Sequence, residues 1–483
     1  MRILIASSEA VPYVKTGGLA DVAGSLSREY RGMGHETCLI LPLYKKIREN
    51  FPLNDTGLSI KVPVGERLVE GRIFSHQSST YFLQCEEYFN RPELYGTPEG
   101  DYSDNAARFI FFSRGLLEAC RALKFQPEII HCNDWQTGLV PLYLKTLFKD
   151  DTFLKNTATI LTIHNLGYQG LFPAAEMSLT NLGPELFNPG GIEFYGKVNF
   201  LKAGIIFADI LNTVSATYAR EILTAASGFG LDGVIRDREK DLYGVINGID
   251  YEEWNPSKDV LLPAYYSRRD VSGKTVCKKE LIKTLFKQGN PETDKAPLIG
   301  IVGRLSEQKG IDLVIQCAPE LFSYRVRLAI LGKGDDAIQR ALLALADKYK
   351  GAISVNIGFN DRLAHMVYAG SDFFLMPSKY EPCGLGQLIA MRYGKIPVAR
   401  ATGGLADTIQ DFDPLKSSGT GVLFHDYTRY ALFEAIKRAF CVYTDGRKMK
   451  NMIVDGMKTD FSWKSSAGRY IELYQNAIKR KRF

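Results

Sequence analysis

The hexapeptide Thr16-Gly17-Gly18-Leu19-Ala20-Asp21 recurs unchanged as Thr402-Gly403-Gly404-Leu405-Ala406-Asp407, near the other end of the chain. A repeat of about 30 residues would indicate a solenoid; one copy per half indicates two similar lobes instead. Each copy follows an apolar segment, Ile3-Leu4-Ile5-Ala6 or Ile396-Pro397-Val398-Ala399, and precedes helix-compatible sequence. Paired glycines at such a turn let backbone N–H groups approach a ligand, and a helix start favours an anion. Two purely structural turns are the plainer alternative. At 483 residues the chain is too long for one ordinary core.

Short β-branched apolar runs alternate with longer amphipathic ones throughout. Strands are expected at 2–7, 36–41, 80–84, 129–132, 159–163 and 210–214, then at 298–302, 327–331, 354–357, 373–376 and 396–399. Helices are expected between them, for example at 22–33, 106–123, 361–369 and 386–393. This alternation predicts an α/β fold of two doubly wound, Rossmann-like lobes, with ligands outside the carboxyl ends of the strands. The expected boundaries give a first lobe over 1–247, a second over 248–460, and a terminal helix over 461–483. That helix places Ala467, Tyr470, Ile471, Tyr474 and Ile478 on one face. It either caps the second lobe or crosses back to the first.

Composition narrows the function. Apolar residues make up 45% and charged residues 24%, the profile of a soluble globular protein. A net charge of +6 is mild, and no basic stripe interleaves with aromatics, so no nucleic-acid partner is expected. No segment reaches the ~20 apolar residues of a membrane span. The N-terminal apolar run is too short for a signal peptide. The eight cysteines are scattered without a Cys-x-x-Cys pair. Reduced thiols and a cytoplasmic location follow, with neither zinc site nor disulfide framework.

Several strand ends carry chemistry. Lys15 precedes the first Thr-Gly-Gly, where a point charge and backbone donors together suit a phosphate; alone it reads as a surface lysine. No Walker loop is present. Arg304 and Lys309 fall in the loop after the 298–302 strand, where two cations can grip a diphosphate. A lysine at a helix start is unfavourable without an anion nearby, which favours function over a solvated basic loop. Glu381 follows the 373–376 strand, placed to bind sugar hydroxyls or to stabilise positive charge at an anomeric carbon; a helix-capping acid is the alternative. Cys383 reads as packing more readily than as a reactive thiol. His164-Asn165 and His131-Cys132-Asn133-Asp134-Trp135 end two further strands. They suit a polyhydroxylated ligand, with Trp135 as an aromatic plate against its C–H face.

Together these residues resemble the ADP-glucose-type bacterial starch/glycogen synthase family of retaining glycosyltransferases. The match spans nearly the whole chain. It rests on Lys15 through Val22, Asp134-Trp135, Thr162-Ile163-His164-Asn165, Val245 through Asp250, Gly303-Arg304-Leu305, Lys309-Gly310, Glu381-Pro382-Cys383-Gly384-Leu385 and Thr402 through Asp407. The resemblance implies the GT-B architecture, two Rossmann-like domains facing a cleft. It implies Lys15, Arg304 and Lys309 on the donor diphosphate and Gly18 near the transferred sugar. Glu381, His164 and the Cys383-Gly384-Leu385 loop would hold the glucose, with Thr402 and Gly403 also on the donor side. Asp21, Asp134, Trp135, Asn165 and Asn247 would line the sugar and acceptor side. The substrates implied are ADP-glucose and an α-1,4-glucan such as glycogen, with no cofactor and no metal. UDP-glucose stays open as donor, and the sequence is silent on oligomeric state.

Two positions depart from the family pattern. A hydroxyl residue usually follows the Glu-Pro-Cys-Gly-Leu run, where this chain has Gly386. Many related retaining transferases carry a second glutamate at the place of Ile389; glycogen synthases commonly lack it. Three other readings are weaker. A GT-B glucan phosphorylase would need a pyridoxal phosphate lysine. A two-lobe NAD-dependent oxidoreductase would need Gly-x-Gly-x-x-Gly after the first strand. A non-catalytic glucan-binding protein would not need Lys15, Arg304 and Lys309 together.

Overall fold

The computed structural model describes residues 1–77, 79–97, 99–286 and 295–482. The chain forms two compact units. One comprises Met1–Ile246 together with the segment from Trp463 onward; the other is Asn247–Ser462. Asn247, Phe461 and Ser462 therefore belong to the second unit, a shift of one or two residues from the boundaries read in the sequence.

The first unit is built on a nine-stranded sheet. Its strands are β1 (Arg2–Ala6), β2 (Glu36–Pro42), β3 (Asn54–Val64), β4 (Arg67–His76), β5 (Thr80–Gln84), β6 (Ile129–Asn133), β7 (Ala158–Ile163), β8 (Ile210–Thr213) and β9 (Leu242–Gly244). They lie in the order β9-β8-β7-β6-β1-β2-β5-β4-β3. The seven strands from β9 to β5 pair in parallel. Central strands such as β1, β6 and β7 are buried almost throughout, so they read as continuous apolar runs. β4 and β3 extend the sheet antiparallel, and β3 alternates exposed and buried residues at the edge. Pro63 is tolerated there because an edge strand has a side without ladder partners.

The terminal helix, Trp463–Arg482, packs within the first unit. Trp463, Ala467, Tyr470, Tyr474 and Ala477 are buried, and Ile471 and Ile478 pack partly against the same core. Tyr474 OH lies 2.9 Å from Tyr30 OH and 2.7 Å from His131 Nδ1, while Asn212 Nδ2 donates to Tyr470 OH at 3.0 Å. Of the two placements open in the sequence, the return to the first lobe is the one adopted.

The second unit carries six parallel strands: β10 (Leu298–Val302), β11 (Arg327–Gly332), β12 (Ile353–Ile357), β13 (Phe373–Met376), β14 (Ile396–Arg400) and β15 (Val422–Phe424). Their order is β12-β11-β10-β13-β14-β15. The outgoing and returning chain run side by side in this unit: Ile249 N donates to Phe461 O at 2.8 Å, and Tyr251 OH accepts from Phe461 N at 2.8 Å. All eight cysteines are free thiols and only Cys441 is exposed. No described helix is long and apolar enough to cross a membrane.

Candidate functional site

In each sheet the strand order reverses beside the first strand, between β1 and β6 in one unit and between β10 and β13 in the other. At such a switch point the loops from neighbouring strand ends diverge and leave a crevice, the usual ligand position in open α/β sheets. The sequence-derived candidates fall at these two places.

In the first unit, the loop after β1 carries Lys15 to the Gly18–Gly32 helix. Lys15 is half exposed, its Nζ 2.8 Å from Asp21 Oδ1. A methyl group on Gly17 or Gly18 would meet nothing within 4 Å, so the glycine loop opens onto free space. Glu9, which sequence reasoning missed, fixes this loop. Its buried carboxylate accepts from Thr16 N and, at 2.7 Å, from Thr16 Oγ1. Tyr95 OH donates to the same carboxylate at 2.6 Å. Neither residue lies in a recognisable motif, and their pairing is long-range, so no local pattern flags them.

Asn133 ends β6, and Asn133 Nδ2 donates to Ala6 O at 3.0 Å. Its amide oxygen therefore faces His164 Nε2, 2.9 Å away. That bond makes Nε2 the protonated nitrogen and leaves Nδ1 as an acceptor. Burial pulls the His164 pKa down to about 3. His164 is thus a neutral hydrogen-bonding group at neutral pH, not an acid. Asp134 has a left-handed backbone, φ 53°, and its Oδ1 accepts from His164 N at 2.7 Å. Burial raises its pKa to about 7 against the opposing backbone bonds from His164 and Asn165. Asn165 Oδ1 accepts from Gly167 N at 3.0 Å and shapes the turn after β7.

Two expectations fail in this unit. Trp135 is only 9% exposed, packed edge-on against Phe109 at 4.8 Å and close to Phe172 at 5.7 Å. Gly170 has no room for a side chain against the same indole. Trp135 is a core residue here, not a plate for sugar, because the strand-end loops fold over it. His131 is fully buried between Tyr474 OH and Thr162 Oγ1, both at 2.7 Å, and serves the packing of the terminal helix.

Burial holds the His131 pKa at about 3 as well. Unfolded histidine titrates near 6.5. The two neutral rings therefore contribute stability that is fully present above about 6.5 and is lost as pH falls toward about 3. Asp134 acts oppositely: its contribution is present below the ordinary carboxylate range and is lost as pH rises through about 7. We expect 15N imidazole shifts of His131 and His164 to stay at neutral values from pH 8 down to pH 5. Asp134→Asn is expected to steepen the acid loss of stability, read as the urea midpoint against pH.

In the second unit, the loops after β10 and β13 brace each other. Lys379 N donates to Gln308 O at 2.9 Å. Gly310, φ 71°, sits so close to Pro377 O that any side chain there would overlap it. This bracing sets Lys309 Nζ 2.6 Å from Glu381 Oε2, with Ser378 Oγ donating to the same oxygen at 3.0 Å. Glu381 is 4% exposed, and Lys309 stays partly open to solvent. Arg304 is exposed just after Gly303 at the end of β10. Burial raises the Cys383 thiol to about 12, and Asn247 N–H faces its sulfur. That thiol is packing, not a nucleophile. Asn247 Oδ1 is buried and has no hydrogen-bond partner among the described residues.

The two hexapeptides turn out to do different work. Gly17 and Gly18 are open, whereas Gly403 and Gly404 are buried against the Glu381–Cys383 backbone. Gly403 has φ 45°, and a side chain there would overlap Glu381 O. Gly404 N donates to Glu381 O and Pro382 O, each at 3.1 Å. Thr402 is likewise buried. The second copy therefore positions the Glu381 loop from behind. Gly384, φ 76°, and Leu385 complete that loop, whose carbonyls at Cys383 and Gly384 accept from Gln387 Nε2 at 2.9 Å. Gly403→Ala is expected to cost at least about 2 kcal/mol, from overlap plus left-handed strain, in urea denaturation. Gly18→Ala is expected to leave the urea midpoint nearly unchanged.

Gly386 starts the Gly386–Arg392 helix. A methyl group on it would stand 3.0 Å from Phe374, 3.3 Å from Met376 Sδ and 3.4 Å from Tyr368 OH. These three neighbours narrow the space that a hydroxyl side chain would need at this position.

Two Rossmann-like sheets, each with a cation at its switch-point loop and one with a lysine paired to a buried carboxylate, fit a glycosyltransferase of the GT-B class. The family comparisons agree. Residues 2–237 match the starch synthase catalytic domain, and residues 282–454 match glycosyl transferases group 1. A glycogen synthase of Syntrophotalea carbinolica is 46% identical over 483 residues, covering 99% of each chain. One of Geotalea daltonii is 46% identical over 486 residues, covering all of both. The catalytic domain of starch synthase IV from Arabidopsis thaliana, solved with ADP and acarbose, superposes with a TM-score of 0.90 at 32% identity, covering 99% of each chain. The chain belongs to the glycogen/starch synthase family of hexosyltransferases.

Proposed function

We propose that the chain transfers glucose from ADP-glucose to the non-reducing 4-hydroxyl of an α-1,4-glucan, with retention at the anomeric carbon. The observation that carries this reading is the Lys309–Glu381 pair at the β10/β13 switch point, with Arg304 in the same loop as Lys309. A carboxylate and cations together suit a ligand that is sugar at one end and diphosphate at the other. Glu381 takes glucose hydroxyls and stabilises the positive charge that grows on the ring. Lys309 and Arg304 take the charge of the departing diphosphate. Lys15, beside its open glycine loop, serves the same leaving group. His164, neutral and accepting at Nδ1, holds a sugar hydroxyl and donates no proton.

The acceptor hydroxyl oxygen bonds to the anomeric carbon as the carbon–phosphate oxygen bond breaks. The bonding pair leaves with ADP, and the hydroxyl proton passes to the leaving phosphate. Attack on the face that the phosphate vacates retains configuration without a protein nucleophile. Cations carry the work a metal does in other transferases, so dialysis against EDTA is expected to leave turnover unchanged.

The decisive experiment offers the purified chain glycogen with either ADP-glucose or UDP-glucose and follows diphosphate release and polymer growth. We expect release with each donor offered separately, favouring ADP-glucose by about tenfold or more in kcat/KM, the effect of one net hydrogen bond of about 1.4 kcal/mol. No release with either donor would overturn the reading.

A further inference from the structure

Residues 255–257 and 266–269, Met457 and the end of the Gly386–Arg392 helix line a cavity of about 340 Å³ in the second unit. Ligand cavities run from about 300 to 1,000 Å³, so this one has the size for a small metabolite. Its lining includes Arg268, Arg269 and Arg392 and, among the described residues, no acid. The Gly386–Arg392 helix begins beside the Cys383-Gly384-Leu385 loop and rises about 10 Å over its length. The cavity lies at the far end of that helix, away from Glu381.

Three guanidinium groups without a counter-charge set this cavity apart. Among the described residues, no carboxylate lies within ion-pair distance of Arg268, Arg269 or Arg392. Arg392 holds its guanidinium carbon 4.2 Å over the ring of Tyr251, which fixes the plane of the group. Its Nε is buried and meets no hydrogen-bond acceptor among the described residues. A buried donor left unpaired is costly, and an acceptor from outside the chain removes that cost. Arg268 and Arg269 are exposed at the tip of a loop closed by Ser267 N, which donates to Asp270 O at 2.8 Å. The carboxylate of Asp270, the adjacent acid, accepts instead from Ser272 N at 2.9 Å. Tyr266 anchors the loop: its N donates to Pro256 O and its OH to Tyr393 O, each at 3.0 Å. Lys274 Nζ stands 5.8 Å from the centre of the Tyr266 ring and adds a further cation nearby.

We propose that this cavity is a second anion site, apart from the one for the donor diphosphate, and that it binds a small phosphorylated metabolite of hexose monophosphate size. Like charges gathered without an acid repel one another, and a phosphate dianion offsets that repulsion. The planar fork of an arginine meets phosphate oxygens two at a time, a geometry that a lysine does not offer. Arg392, held flat by Tyr251, supplies a pre-oriented fork, and Arg268 and Arg269 supply exposed ones from the facing loop. Tyr266 and Met457 give the carbon skeleton of the ligand an apolar wall.

The test is isothermal titration calorimetry of the full chain with fructose 6-phosphate, at constant ionic strength and with saturating ADP, which occupies the cations proposed for the donor. The wild type is expected to bind with a Kd below about 1 mM, and unphosphorylated fructose is expected to give no saturable heat. The double variant R268Q/R269Q alters two exposed side chains, so its Tm is expected to stay within about 2 °C of the wild type. Its affinity for fructose 6-phosphate is expected to fall by about tenfold or more, the effect of losing charge-assisted contacts. Arg392→Gln is expected to weaken binding by a similar factor. Wild-type affinity in either variant, equal binding of fructose, or no saturable heat from the wild type would overturn the site.

Discussion

Lys309→Ala is expected to lower kcat by roughly 100- to 1000-fold, the effect of removing one donor aimed at charge that develops in a transition state. It is also expected to weaken the second unit by on the order of 2 kcal/mol. Both effects trace to one geometry. Lys309 Nζ and Ser378 Oγ are the side-chain donors to Glu381 Oε2, at 2.6 and 3.0 Å, and the carboxylate is buried. Without the lysine, the buried carboxylate loses its paired cation. The double variant Lys309→Ala/Glu381→Gln removes the orphaned charge, so its urea midpoint is expected to recover toward wild type while its turnover does not. Steady-state kinetics with ADP-glucose and urea denaturation read the two effects independently. Full kcat/KM in Lys309→Ala would remove this lysine from the reaction.

Lys15→Ala is expected to cost kcat/KM a similar ~100- to 1000-fold, but with stability held within roughly 0.5 kcal/mol. The contrast follows from exposure. Lys15 meets Asp21 at 2.8 Å in a half-exposed pair, and such pairs contribute little to folding. The glycine loop beside it opens onto free space, which leaves the cation within reach of a ligand anion. A Lys15→Ala protein with unchanged kcat/KM would refute the role. A large fall in its urea midpoint would show that the lysine supports the loop instead.

What the sequence made legible was the alternation. Strands such as Thr80–Gln84, Leu298–Val302 and Phe373–Met376 lie where the apolar runs place them, because strands covered on both faces leave a short, nearly continuous apolar run. The antiparallel strands Asn54–Val64, at the sheet edge, and Arg67–His76, next to it, escaped that reading. One face of each is wet, and their residues alternate with charges. The cations and Glu381 were readable as strand-end residues, since the fold class dictates where ligands go. The separate fates of the two hexapeptides were not. Gly17 and Gly403 have identical neighbours in sequence, and only the carbonyl of Glu381 packed against one of them distinguishes an open loop from a buttress. Trp135 misled for a related reason. Burial depends on Phe109, Phe172 and Gly170, which no local window contains.

The terminal helix has a consequence for how the molecule is made. His131 and Asn212 sit in strands synthesised early, yet they meet the hydroxyls of Tyr474 and Tyr470. A ribosome must translate the whole of Asn247–Ser462 before those tyrosines emerge, a delay on the order of ten seconds or more at cellular elongation rates. Throughout that interval the nascent N-terminal half exposes an unfinished apolar flank, while the later-born half can already close on itself. Birth order and completion order are reversed, and a chaperone has its longest opportunity at the half that leaves the exit tunnel first.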